Sequence, residues 1–232
     1  DEAVSALRKT IELGPPGSTQ YVRSTANHCL QMGKPEEGKR HAELAKQMGD
    51  PAGDEILARA CLALGDLKGA EAAALASLQS ETNKNRGYLT LARVEVQRGS
   101  FVKALEFSDK ALPRSDRSIP LAGLHLLRGD IFARTDRHEE AEAEFKKEIR
   151  LYPSTLNAWS SLVVVFAAQN RLPDARRTVE QMIAANPAVD SYLYAIRTLA
   201  IAGDREGAEH WQREGLKRFP QEKRLRRIPR PA

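Results

Sequence analysis

Cysteine is scarce. Cys29 and Cys61 are the only two in 232 residues. One pair that far apart builds no disulfide framework. Both sit in apolar columns at helical spacing, so they read as free buried thiols acting as small hydrophobes. Long apolar runs are missing as well. The longest, Leu162 to Ala168, falls far short of the roughly 18 apolar residues that mark a membrane-crossing helix, and reads as a buried helix segment. Motifs that carry chemistry are absent: there is no G-x-x-x-x-G-K, G-x-G-x-x-G, H-E-x-x-H, C-x-x-C or G-x-S-x-G. The five histidines are scattered. His138-Glu139-Glu140 begins a helix, where acidic residues suit the helix dipole better than a metal. His28 adjoins Cys29, but neighbouring helical residues point to different faces, which argues against a Cys–His nucleophile. The expectation is a non-catalytic chain with no cofactor and no metal.

What is present is a folded composition, 41% apolar and 29% charged. The net charge of +5 is unevenly placed. Lys217, Arg218, Lys223, Arg224, Arg226, Arg227 and Arg230 face only Glu222, so the last 16 residues carry +6 and the rest −1. Nucleic-acid or anionic-membrane contact is therefore expected at most through a basic tail, and a solubilising end cap explains that tail more simply.

The chain also repeats itself. Turn residues fall at Gly33, Gly65, Gly99, Asp136, Asn170 and Gly203, at intervals of 32, 34, 37, 34 and 33. Five residues after each comes a small residue: Gly38, Ala70, Ala104, Ala141, Ala175 and Ala208. Prolines close the later units at Pro153, Pro187 and Pro220. Each unit reads as two helices. Trp159, Leu162, Val163, Phe166 and Ala167 recur three and four apart. Pro173 then opens a second helix, with Ala175, Val179, Met182 and Ile183 on one face. Proline is harmless in a first turn, where its missing N–H has no helical partner. A hairpin this small cannot bury its apolar face alone, so neighbours must stack.

At these residues the chain resembles a tetratricopeptide repeat array, whose pattern is Trp-x2-Leu-Gly-x2-Tyr, then Ala-x3-Phe, then Pro. Trp159, Leu162, Phe166, Ala175 and Pro187 match one unit, with Val163 and Val179 departing from it. Gly129, Phe132, Ala141, Phe145 and Pro153 match the unit before, where His125 and Arg128 depart. In the early units Leu91 and Ala104 match, but Cys29 and Cys61 stand where the aromatic belongs. The resemblance implies an all-α α-solenoid: a right-handed superhelix of about six helix hairpins. It also sets boundaries. Residues 1–16 correspond to a second helix alone, with Ala3, Leu7 and Ile11 as its stripe, so the array is expected to begin mid-repeat within a longer chain. Repeats one to three occupy 17–112, a longer loop 113–121, and repeats four to six 122–220. Residues 221–232 should form a basic capping helix and tail, with Leu225 and Ile228 on its apolar face.

In tetratricopeptide arrays the first helix of each pair lines a concave groove, so the resemblance implies a binding site at Arg23, Asn27, Arg59, Arg86, Arg93, Asp130, Arg134 and Arg197. Guanidinium forks bind carboxylates in pairs, so the expected partner is a protein or peptide of acidic character, not a small-molecule substrate. Against this, Glu55 and Asp130 could neutralise some of these arginines. The carboxylate clamp of chaperone-binding members is only half present: Arg23 and Asn27 fit it, whereas Ile56 and Thr90 stand where an asparagine and a basic residue belong. The leading expectation is a protein-interaction scaffold. The alternative is the C-terminal repeat region of a longer bacterial enzyme, such as an exported hydrolase or transferase, whose activity lies upstream.

Overall fold

The structure, a computed structural model, describes residues 18–113 and 120–226. The expected half-repeat at 1–16, the heart of the long loop at 114–119, and Ile228 with the end of the tail lie outside the described residues. The described residues form helices and no strand. Their contacts fall into two compact units, Asp1–Leu121 and Ala122–Ala232.

The first unit holds α1 (Ser18–Gln31), α2 (Pro35–Gln47), α3 (Gly53–Ala63), α4 (Leu67–Ser77), α5 (Lys84–Gln97) and α6 (Phe101–Ala111). The second holds α7 (Leu124–Arg134), α8 (His138–Leu151), α9 (Leu156–Ala168), α10 (Leu172–Ala185), α11 (Val189–Ile201) and α12 (Arg205–Arg218). Where a capping helix was expected, the described residues form a 3-10 turn, Lys223–Arg226, with Leu225 fully buried. Proline opens α2 and occupies the first turn of α10. Pro153, Pro187 and Pro220 each follow a second helix by two residues, where the helix has already ended.

Every hairpin turns by one device. Gly33, Gly65, Gly99, Asp136, Asn170 and Gly203 all take a left-handed backbone, with φ between +57° and +79°. In each case the next amide reaches back five residues. Lys34 N–H bonds Cys29 O, Asp66 bonds Cys61, Ser100 bonds Glu95, Arg137 bonds Phe132, Arg171 bonds Phe166 and Asp204 bonds Leu199, all at 2.8–2.9 Å. This is the Schellman closure, which satisfies otherwise orphaned carbonyls. Glycine enters the left-handed region without a Cβ penalty, and Asp and Asn tolerate it better than other side chains. The small residues that follow, Ala70, Ala104, Ala141, Ala175 and Ala208, are completely buried, and Gly38 is buried too.

The cores of the two units differ in grain. The first is built largely from small side chains, among them Ala26, Ala42, Ala58, Ala70 and Ala74, with Ile56 and Leu91 between them. Cys29 and Cys61 are buried and unbridged, and burial raises both thiols above their ordinary pKa. The second unit uses larger groups, including Phe145, Ile131, Trp159, Phe166, Met182 and Ile196.

Within each unit the packing is lopsided. First helices touch each other along the row: α1 with α3 and α3 with α5, then α7 with α9 and α9 with α11. Second helices make no comparable contact with one another. Each unit therefore curves with its first helices inside. Polar ties hold neighbouring hairpins in register. The residue after the small one reaches the turn of the next hairpin: Lys39 to Asp66 (3.7 Å), Glu71 to Arg98 (2.6 Å), Glu142 to Arg171 (2.7 Å) and Arg176 to Asp204 (2.6 Å). Amides of Asn83 and Asn186 bond the preceding loops at the carbonyls of Pro51 and Pro153, both at 2.8 Å.

Candidate functional site

The inner face of the first unit is assembled from α1, α3 and α5, and it is largely self-satisfied. Arg59 Nη1 donates to Asn27 Oδ1 (3.0 Å) and lies 3.5 Å from Glu55 Oε1, whose side chain is almost fully buried. Asn27 Nδ2 donates back to Arg23 O at 3.1 Å. Arg23 itself pairs with the buried carboxylate of Asp50 at 3.6 Å. The structure thus brings Arg23, Asn27 and Arg59 together, but as a network spanning two hairpins in which the guanidinium charge is already answered. A ligand carboxylate would have to displace Glu55. Arg93 is half-buried on α5. Arg86, earlier on the same helix, is exposed and makes no ion pair or hydrogen bond among the described residues.

The inner face of the second unit is more open. Asp130 on α7 and Ser161 on α9 meet at 3.4 Å. Ser160 Oγ and Thr198 Oγ1 lie 2.6 Å apart, joining α9 to α11. A hollow of about 330 Å³ is lined by Asp130, Ala133, Arg134, Ser160, Ser161 and Val164, among others. Val164 leaves 41% of its surface exposed there. Arg134 on α7 and Arg197 on α11 are exposed, with no ion pair or hydrogen bond among the described residues. Burial pushes the Asp130 carboxyl above its ordinary pKa, while the charge of Arg134 and the Ser161 hydroxyl pull it back. A half-desolvated carboxyl beside an uncommitted guanidinium is a place where a polar ligand group can be bound.

The resemblance named Asp130 and Arg197 by column position and Arg134 as falling nearby, and all three lie on first helices of one unit. It missed Ser161 and the pair formed by Tyr194 Oη and Asn157 Oδ1 at 2.8 Å. These contacts join residues 31 and 37 positions apart, so only the stacking distance between hairpins reveals them. Among the described residues, no group of three or more His, Cys, Asp or Glu side chains could hold a metal ion.

A family model described as tetratricopeptide repeat matches residues 89–154 and 161–223, and a second tetratricopeptide model matches 51–76. The chain belongs to the tetratricopeptide repeat family. The matched segments cover more than half of it and include Asp130, Arg134, Ser161, Val164 and Arg197. No curated protein sequence matches. Several solved tetratricopeptide structures share the fold. TTC0263, a thermophilic TPR protein of Thermus thermophilus, has a TM-score of 0.64 at 23% identity, over 76% of this chain and 97% of its own. The type IV pilus biogenesis factor PilW gives 0.67 at 15%, over 91% and 98%. PilF of Pseudomonas aeruginosa gives 0.62 at 15%, over 90% and 95%. At these identities the likeness is one of fold. The tetratricopeptide pattern explains why Gly129 is glycine: a Cβ there would run into the ring of Phe145, which is fully buried.

Proposed function

We propose that the protein is a non-catalytic interaction scaffold, and that the inner face of residues 122–232 binds an extended segment of a partner protein bearing a carboxylate. The observation that carries this reading is the exposed Val164 beside Arg134 in one hollow, with a second uncommitted guanidinium, Arg197, on the neighbouring inner helix α11. An aliphatic floor rewards a ligand side chain for leaving water, and an unpaired guanidinium rewards a carboxylate more than one already tied to Glu55. Arg23, Asn27 and Arg59 are then structural ties more than ligand contacts, and Arg86 is a cation with no ion pair or hydrogen bond among the described residues. Arg93 completes the candidate column in the first unit.

The test compares Arg134→Glu with Arg197→Glu, made together, against Arg59→Ala. Partners recovered by cross-linking from the source cells are mapped to a peptide, and its affinity is measured by fluorescence anisotropy. The double reversal should keep wild-type helicity and weaken the peptide by at least ten- to a hundredfold, the scale of losing one charged hydrogen bond of about 1.5–3 kcal/mol. Arg59→Ala should lower stability more than affinity. Equal peptide affinity in the doubly reversed protein would refute the inner-face assignment.

A further inference from the structure

The curvature of the second unit has a consequence on its outer side. Because first helices pack along the row and second helices do not, α8 and α10 stand apart, with α9 behind them. The gap is a groove of about 300 Å³, room for a single large side chain. Its floor includes Trp159, Leu162 and Phe166, from the apolar side of α9. Trp159 cannot turn out of the way: its Nε1 donates to Pro153 O at 2.9 Å. Phe166 is held by Arg171, whose guanidinium carbon sits 4.4 Å from the ring centroid.

The rim is cationic. Lys146 and Arg150 come from α8, Arg171 immediately precedes α10 and Arg177 lies within it, against Asp174 as the one carboxylate in the lining. Behind the rim, Glu142 answers Lys146 and Arg171. Counting both carboxylates, two positive charges are left over. They are the ones most open to solvent. Arg150 is exposed and has no ion pair or hydrogen bond among the described residues. Arg177 is 68% exposed and only loosely paired with Asp174, at 3.4 Å. An apolar slot ringed by surplus positive charge is complementary to an apolar side chain between acidic neighbours. A nucleic acid matches the charge but not the shape: a base needs an open ring face for stacking, and a hollow of about 300 Å³ between two helices presents none.

We infer that this outer groove is a second docking site, taking an acidic segment of a partner protein anchored by one bulky apolar side chain. It is separate from the inner face proposed above, because α9 contributes its opposite side to each. One molecule can therefore hold two segments at once, which is what a scaffold requires.

The probe is the peptide fluoresceinyl-Gly-Gly-Asp-Glu-Phe-Glu-Asp-amide, whose amidated end removes the peptide's terminal carboxylate. Anisotropy is read at 0.15 M salt with the full chain. The wild type should bind saturably. Arg150→Glu with Arg177→Glu should weaken binding at least tenfold while circular dichroism stays unchanged, since both side chains are exposed. Arg134→Glu with Arg197→Glu should leave it within twofold, so that failure of the inner-face reading is distinguished from failure of this one. Replacing the peptide's Phe by Gly should also cost at least tenfold. The inference is overturned by no saturable binding, by equal binding to the outer-rim variant, by loss of binding in the inner-face variant alone, by indifference to the Phe, or by equal competition from an oligo-dA decamer.

Discussion

Two residues show how much single positions decide. Gly129 faces the ring of Phe145 with no space for a methyl group. Gly129→Ala should destabilise the protein by about 1–3 kcal/mol through overpacking, read as a shift of the urea midpoint at constant slope. Glu144 is the other. Burial alone would push its carboxyl up, but His125 (2.6 Å), Lys147 (2.8 Å) and Arg128 (3.2 Å) outweigh it and hold its pKa at about 2. The folded value lies below the ordinary 4.5, so this carboxylate stabilises the fold fully above pH ~4.5 and loses that contribution as pH falls toward about 2. Glu144→Gln should flatten the acid limb of a stability-against-pH curve in that window and lower stability at pH 7. An unchanged acid limb would show that other carboxylates govern acid unfolding. Of these partners only Lys147, three residues after Glu144 on the same helix, could be read from the chain. His125 stands 19 positions from Glu144, and on the tetratricopeptide pattern it is simply a departure from the aromatic expected there.

At the scale of elements, the hairpin is written locally and its neighbour is not. Six left-handed turns, the buried small residue after each and the closing prolines are all features of short segments, so the sequence displays them openly. The ties between hairpins follow a rule that appears only after stacking: the residue behind the small one meets the next turn. The charges swap sign along the row, Lys39 with Asp66 but Glu71 with Arg98, so no fixed motif marks them. The Arg176–Asp204 tie tests their worth. Asp204 also caps α12 by accepting from Gly207 N–H at 3.0 Å. In a cycle of Arg176→Met and Asp204→Asn, which keeps the cap, the coupling energy should be about 1 kcal/mol, limited by the half-exposed arginine. Asp204→Ala should cost about 0.5–2 kcal/mol more than Asp204→Asn, because the cap goes too. A coupling near zero would reduce the tie to surface decoration.

For the whole molecule, contacts concentrate within two units, and repeat stacks transmit stability mainly between neighbours. Phe145→Ala, a cavity at the centre of the second unit's core, should cost about 3–5 kcal/mol locally. Hydrogen exchange should then quicken across α7–α10 while α1–α4 keep their protection. Uniform acceleration throughout would mean the chain unfolds as one cooperative body. The sequence by itself determined the helical class, the hairpin unit and its period, because turn chemistry and apolar spacing act over a few residues. The period also aligns equivalent positions into columns, while the tetratricopeptide resemblance alone implies which columns face inward. Only the tertiary structure decided which arginines are spoken for and where the outer groove opens. Those outcomes depend on how far apart successive helices stand, a distance set by the bulk of side chains some thirty positions away: alanines in one unit, phenylalanines and tryptophan in the other.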